Sequence, residues 1–327
     1  MLLIALVTVR ALTVPAFLKR VAQVNDCSQA PTLLPLLVDG AEIGSVSPKI
    51  IDALKSFQDV FDVTSGTAVT LSRTLEDAPF EERNAKVHEV AIALHERGLI
   101  TKWRDETLAM VTSFDAAPSL LVERRLVPLL GGRGYGVAVN GFSRHPASGA
   151  LHLWVATRAA DKATWPGMLD TLAAGAMSAG GSALEAARAE AAEEAGIPDS
   201  LAASLRAVGA VSYRGIDEDP VLPKHDVFFC FDLELPWRLT PVPVDGEVAS
   251  FERLPLSEVA RCVAYGASPS YPCLVDGEEE ESGPPPNAFK PNINLVVIDF
   301  LVRHGFLDPS EPGYPELVAS LRQGRCN

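Results

Sequence analysis

The sequence is short of basic charge. Twenty-eight Lys and Arg stand against 42 Asp and Glu, a formal net charge of −14. A nucleic-acid binder presents a basic face, and no stretch here supplies one, so nucleic acid is not an expected partner. Cysteine is scarce and unpaired. Cys27, Cys230, Cys262, Cys273 and Cys326 form no C-x-x-C pair and no zinc spacing. An odd, scattered set of this kind reads as reduced thiols of an intracellular compartment, with the cytoplasm as the expected location. Cys230, inside the apolar run Val227–Phe231, reads as a buried small hydrophobe. The six histidines show no metal-ligand spacing, and His225, just before an apolar strand, reads as an edge residue. No serine has a G-x-S-x-G context, which argues against an acyl-transfer hydrolase. The glycine string Gly131-Gly132-Arg133-Gly134 lacks a following G-K-[ST] and reads as a plain loop.

The long apolar run of a membrane span is also missing. Met1–Val9 is apolar, but nine residues cannot cross a bilayer. Arg10, Lys19 and Arg20 follow it and no acid precedes Asp26, whereas a secretory signal carries its positive charge before the apolar run. Residues 1–25 therefore read as an apolar and basic N-terminal segment. A packed or frayed helix is favoured, and transit to a mitochondrion or plastid is the alternative.

What is present describes an ordinary globular chain, 47% hydrophobic and 21% charged. Its 327 residues suit two domains, or one large one. Residues 26–130 read as an α+β accessory domain. Ile50–Phe57 and Phe80–Arg97 have helical periodicity, Leu33–Val38, Ala68–Ser72 and Thr107–Thr112 look like strands, and Asp39-Gly40 signals a turn. Nothing in this half has the spacing of a catalytic set. Residues 131–327 form the second unit. Tyr135–Phe142, Leu151–Thr157, Leu169–Ala174, Leu205–Ser212 and Asp226–Leu235 read as strands, and Pro255–Ala264, Ile293–His304 and Tyr314–Arg322 as helices. Asp276–Pro286, with four glutamates and three prolines, reads as a solvated loop rather than a metal site.

The most informative stretch is Gly175–Ile197, a glycine-rich loop entering a short acidic helix. Ser182 and Glu185 fit a capping box. Gly196 fits the residue after the helix, and Pro198 stops continuation. Leu184, Ala187, Ala191 and Ala195 form an apolar stripe. Beside it Glu190, Glu193 and Glu194, at i, i+3 and i+4, fall within an arc of roughly 100°. Clustered carboxylates repel one another unless a cation sits among them. Hard divalent cations take such oxygens together with substrate phosphates. The competing reading is a solvated, alanine-rich surface helix.

This arrangement resembles the Nudix box, G-x5-E-x7-R-E-U-x-E-E-x-G-U with U apolar. Gly175, Glu190, Ala191, Glu193, Glu194, Gly196 and Ile197 match it. Gly181 stands where the first glutamate belongs, and Ala189 where the arginine belongs. Flanking segments, GYGVAVNGF (134–142), Trp165-Pro166-Gly167, DGEV (245–248) and Phe289-Lys290-Pro291-Asn292, resemble a Nudix subfamily of fungi and plants that carries its own N-terminal domain. In some fungi that pair is fused to thiamine pyrophosphokinase. The resemblance implies an α/β (α+β) fold: a Nudix α/β/α sandwich with a mixed sheet, preceded by a smaller α+β domain. It implies Mg²⁺, with Mn²⁺ as an alternative, held by Glu190, Glu193 and Glu194. Glu193, Glu194 and Glu247 would be the catalytic set, Glu247 acting as metal ligand or base. The implied reaction takes a small-molecule diphosphate, thiamine diphosphate or its oxidised analogues, to the monophosphate plus phosphate. Gly175, Trp165, Tyr213 and Lys290 are the candidate substrate contacts; Trp165 and Tyr213, like Phe289, are equally core candidates, and for Lys290 the capping of a surface helix is favoured over a phosphate contact, since Pro291-Asn292 reads as a helix start. Losing the box arginine implies weakened catalysis. It keeps open a diphosphate sensor without turnover, beside a hydrolase of damaged nucleotides.

Overall fold

The computed structural model describes residues 13–26, 32–63, 66–101, 103–216, 223–265 and 288–323. Met1–Val9, Asp276–Pro286, Cys27, Cys273 and Cys326 lie outside the described residues.

Helix α1 (Thr13–Val24) comes first. It is followed by strands β1 (Leu34–Val38) and β2 (Ala41–Val46), helix α2 (Pro48–Leu54), strands β3 (Phe61–Asp62) and β4 (Val69–Leu71), and helices α3 (Arg73–Glu76) and α4 (Phe80–Glu96). The strands form a sheet of order β2-β1-β4-β3. Asp39 and Gly40 both adopt positive φ, 52° and 76°, in the two-residue turn between β1 and β2, the conformation that tight hairpins favour. Helix α4 buries Val87, Val90, Ala91 and Leu94, the i, i+3, i+4, i+7 stripe of an amphipathic helix. They join Leu36, Ile50, Phe61 and Leu130 in one apolar core.

A hairpin of β5 (Thr107–Met110) and β6 (Leu120–Glu123) comes next. Successive strand residues face opposite sides, and here the two sides have different hosts. Met110, Leu120 and Val122 enter the first core. Ala109 and Val111 enter a core of the second unit.

The second unit holds strands β7 (Gly134–Arg144), β8 (Leu151–Arg158), β9 (Leu169–Asp170) and β10 (Ala173–Met177), helices α5 (Ala183–Ala195) and α6 (Asp199–Ala202), strands β11 (Arg206–Ile216), β12 (Pro223–Glu234) and β13 (Val248–Pro255), and helices α7 (Leu256–Tyr265), α8 (Ile293–Arg303) and α9 (Tyr314–Ser320). Seven strands make a mixed sheet of order β11-β12-β7-β8-β13, with β10 on β7 and β9 on β8. Among these described strands only β12 and β7 run parallel. Alternation along β7 sends Val137 and Val139 toward α5 and Ala138 and Phe142 toward α1, α7, α8 and α9. The expected sandwich of helices around a mixed sheet is therefore present. Helix α1 is packed, with Val14, Phe17 and Val21 at most 1% exposed in that second core.

Three local expectations are corrected. Leu169–Ala174 is two strands, because Asp170 pairs with Ala156 of β8 while Ala173 pairs with Val139 of β7. His225 sits inside β12 rather than before the strand: it pairs with Arg214 of β11, while pairing with β7 begins at Asp226. Burial, then Arg133 and Arg214, push the His225 pKa down to about 4. Leu184 is 36% exposed and leaves the apolar stripe to Ala187, Ala191 and Ala195.

A buried ionic cluster ties the sheet to α8. Asp232 accepts from both terminal nitrogens of Arg303 (2.6 and 3.0 Å), from His304 Nε2 (2.8 Å) and from Asn140 Nδ2 (3.2 Å). Burial alone would raise the Asp232 carboxyl, but the bonds from His304 and Arg303 outweigh it and hold it below the usual range. Cys230 is fully buried and its thiol is pushed up to about 12, which fits an inert core residue.

Candidate functional site

The acidic helix is fixed at both ends. Ser182 Oγ accepts the Glu185 N–H at 3.2 Å. Gly196 turns left-handed at φ 62°, and its N–H reaches Ala192 O at 3.1 Å. That bond, from the residue after the helix to the carbonyl four positions back, is the αL cap, and the Ile197 N–H reaches further back to Ala191 O at 3.0 Å. Ala187, Ala191 and Ala195 are fully buried, so the small stripe brings the helix backbone close to the sheet. The acids then face a cleft of about 580 Å³ lined by Glu190, Glu193 and Glu194.

Strand β10 receives two of them. A Cβ at Gly175 would lie 1.7 Å from Glu190 Oε1, so only glycine lets that carboxylate sit there. The Ala174 N–H donates to Glu194 Oε2 at 2.9 Å. Glu194, Asp245 and Glu247 each bring an oxygen within 4.8 Å of the others. Asp245 Oδ1 accepts the Glu247 N–H at 2.8 Å, which folds the turn that carries both. Burial, then repulsion from Glu193, Glu247 and Asp245, raise the Glu190 carboxyl to about 7. Burial and the charge of Asp170 raise Glu194 to about 8. Burial also acts to raise Glu247, but its hydrogen bond and ion pair with Lys162 prevail and keep it below the usual range. Clustered hard oxygen donors, two of them reluctant to ionise, suit a divalent cation such as Mg²⁺.

The sequence candidates Gly175, Trp165, Tyr213 and Lys290 all line this same cleft, whereas Phe289 lies in the core. Trp165 is 7% exposed and takes φ 51°, an uncommon conformation for a bulky side chain. Arg158 holds its loop: Nε donates to Trp165 O (2.9 Å), one terminal nitrogen to Thr164 O (2.8 Å), and the other pairs with Asp170 (2.9 Å). The Tyr213 hydroxyl donates to Asp226 Oδ2 at 2.6 Å and accepts from Asn292 Nδ2 at 3.0 Å. Asn292 Oδ1 is buried without a hydrogen-bond partner among the described residues. A Cβ at Gly134 or Gly136 would meet Asp226 at 2.3 Å or the Gly175 carbonyl at 2.8 Å, so the glycines keep the cleft floor low. The Lys290 N–H donates to Leu169 O at 2.9 Å, and helix α8 begins three residues later, as Pro291-Asn292 signalled.

Sequence reasoning missed part of this wall. Asp245 lies in the DGEV segment, but its i, i+2 spacing from Glu247 has no helical signature. Arg158, Lys162 and Asp170 converge only through the sheet. The first half, where no catalytic set was legible, brings Arg104, Glu106, Arg124 and Arg125 to the cleft. Position 189 is exposed, and so is Arg188.

The NUDIX domain family matches residues 134–274, and a domain of unknown function (DUF4743) matches residues 16–134. Nudix hydrolase 24, chloroplastic, of Arabidopsis thaliana is 35% identical over 313 residues, 95% of this chain and 79% of that protein. Nudix hydrolase 20, chloroplastic, of the same plant is 34% identical over 321 residues, 93% and 78% respectively. Uncharacterized protein YJR142W of Saccharomyces cerevisiae is 30% identical over 304 residues, 87% and 81%. The likeness to the two plant enzymes runs through both units and nearly the whole chain, and the chain belongs to the Nudix hydrolase family.

Proposed function

We propose that this Nudix hydrolase cleaves the diphosphate of thiamine diphosphate or its oxidised analogues, giving the monophosphate and phosphate. The observation that carries the reading is the meeting, in one cleft, of five carboxylates with an aromatic wall. Glu190, Glu193, Glu194, Asp245 and Glu247 line one part, and Trp165, Tyr213 and Phe228 another. A heteroaromatic diphosphate needs both an apolar wall and a charge-neutralising pole. The buried acceptor Asn292 Oδ1 suits a donor on such a ring. The Trp165-Pro166-Gly167 and Phe289-Lys290-Pro291-Asn292 segments support the same substrate, because they resemble the subfamily associated with thiamine pyrophosphokinase.

Glu190, Glu193 and Glu194, with Asp245 and Glu247, would hold Mg²⁺, or Mn²⁺ in its place. The bound ion supplies Lewis-acid neutralisation of phosphoryl oxygens. Glu247, kept ionised by Lys162, accepts the proton of the attacking water. Water adds to one phosphorus and the bridging P–O bond breaks. Because such transition states are loose, positioning contributes more than base strength. Ala174 and Gly175 do that positioning by fixing Glu194 and Glu190 against β10. The chloroplastic names of the two plant relatives support the plastid alternative over the cytoplasm.

The test is phosphate release, with Mg²⁺, from a panel of thiamine diphosphate, its oxidised analogues and nucleoside diphosphates. Thiamine compounds should lead the panel, and Glu193→Gln and Glu194→Gln should each abolish most release. A panel led by nucleotides would reject the substrate. Unchanged release in both variants would reject the site.

A further inference from the structure

The charge that position 189 lacks has a counterpart elsewhere in the cleft. Part of the cleft lining comes from the β5–β6 hairpin and its flanks, which bring Arg104, Arg124 and Arg125 there. Their backbone is held by a buried acid the mechanism does not use. Glu123 is 2% exposed, and its Oε1 accepts the N–H groups of Arg104 and Arg125, each at 3.2 Å. The Arg124 N–H donates to Glu106 O at 2.7 Å, and its side chain pairs with the Glu106 carboxylate at 2.6 Å. The hairpin itself is anchored in both cores, through Met110 and Val122 on one face and Ala109 and Val111 on the other. The three guanidinium groups are thus carried on a braced element.

They line the same cleft as Glu190, Glu193, Glu194 and Glu247. On the acidic helix, by contrast, Ala189 brings no charge, and Arg188 points about 100° away from it. A guanidinium fork matches phosphate oxygens two at a time, which makes arginine the cation suited to a diphosphate.

We propose that the first unit completes the catalytic cleft: Arg104, Arg124 and Arg125 bind the phosphate oxygens of the substrate and supply the positive charge missing at Ala189. Glu123 is a positioning residue for them. Glu106 holds Arg124 in the free protein and yields it to the more strongly charged diphosphate. This inference rests on the reading of the cleft as a diphosphate site.

The experiment uses the full chain with Arg104→Gln, Arg124→Gln, Arg125→Gln and Arg124→Lys. Arg97→Gln is the control, since that guanidinium lies over Phe57 and bonds Ser56, away from the cleft. Two quantities are read: the KM of the leading diphosphate substrate, and the calorimetric affinity for methylenediphosphonate, a diphosphate that cannot be hydrolysed. Loss of one charge-assisted contact should weaken both by about tenfold for Arg104 and Arg124. Arg124→Lys should recover part of the loss, and Arg97→Gln should match wild type. Wild-type affinity and KM in all three glutamine variants, with Glu194→Gln inactive, overturn the inference and leave the acidic site standing. Wild-type turnover in Glu194→Gln overturns the underlying reading instead. Equal loss in Arg124→Lys and Arg124→Gln with a fallen thermal midpoint overturns it in favour of a purely structural role.

Discussion

The Glu190 carboxylate occupies the space that a side chain on Gly175 would fill, with Oε1 1.7 Å and Cδ 2.1 Å from the ideal Cβ position. What blocks a larger residue is the far end of a movable side chain, so a methyl at 175 displaces Glu190 rather than the backbone. Gly175→Ala should keep the fold, with a thermal midpoint near that of wild type. Activity should fall by about 10- to 100-fold, as when a supporting contact of a metal site is lost. Measuring midpoint and kcat on one preparation checks it; full activity would mean that Glu190 has no part in turnover.

Position 189 is exposed on α5, so an arginine there has room. Ala189→Arg adds a cation to an acid-rich helix. An exposed pair contributes ~0.2–1 kcal/mol, so kcat/KM should rise at most about fivefold. The gain should be larger in an Arg124→Gln background, where less positive charge remains. A rate that falls in both backgrounds would refute the compensation.

Metal and pH should act together on stability. The folded pKa values of Glu190 and Glu194, about 7 and about 8, stand above the ordinary 4.5. A raised carboxyl contributes stability that is full below pH 4.5 and is lost as pH climbs through the folded value. The metal-free protein should therefore lose stability between about pH 5 and about pH 8.5. Mg²⁺ replaces those protons, so it should raise the thermal midpoint more at pH 8 than at pH 6. Scans in EDTA and in Mg²⁺ across that range provide the check. An equal Mg²⁺ effect at both pH values would place the ion elsewhere.

Asp232 tests the scaffold apart from the site. Replacing it with Ala strips Arg303 and His304 of a buried partner, which should cost about 3 kcal/mol. Urea unfolding should show the loss, while KM for substrate stays within about twofold. A KM shift without a stability loss would mean the cluster serves the cleft directly.

The acidic helix was legible because its punctuation is local. Ser182, Glu185 and Gly196 act within four residues of the backbone they cap, and the structure uses Ser182 and Gly196 as caps. The break inside Leu169–Ala174 was not legible, because no Gly, Pro or Asn marks it and only the identity of the neighbouring strand changes. The site divides in the same way. Glu190, Glu193 and Glu194 share one helix and announce themselves by spacing. Arg104 and Arg124 sit far from them in sequence, and their place in the cleft follows from how the β5–β6 hairpin is shared between two cores.

Helix α1 gives the chain an unusual itinerary. Its Val14, Phe17 and Val21 lie in one core with Leu317 and Leu321, in and just after helix α9, some three hundred positions away. The first unit is thereby an insertion, entered from the second core and left into it again. A truncated chain beginning at Gly134 would lack one helix of the layer that α7, α8 and α9 share with it, and would expose the apolar face that α1 covers. During synthesis α1 leaves the ribosome ahead of the first unit, and its partners α8 and α9 leave long after it. The first unit can fold while the catalytic one waits for those helices, and contacts of such long range predict slow closure of the second core.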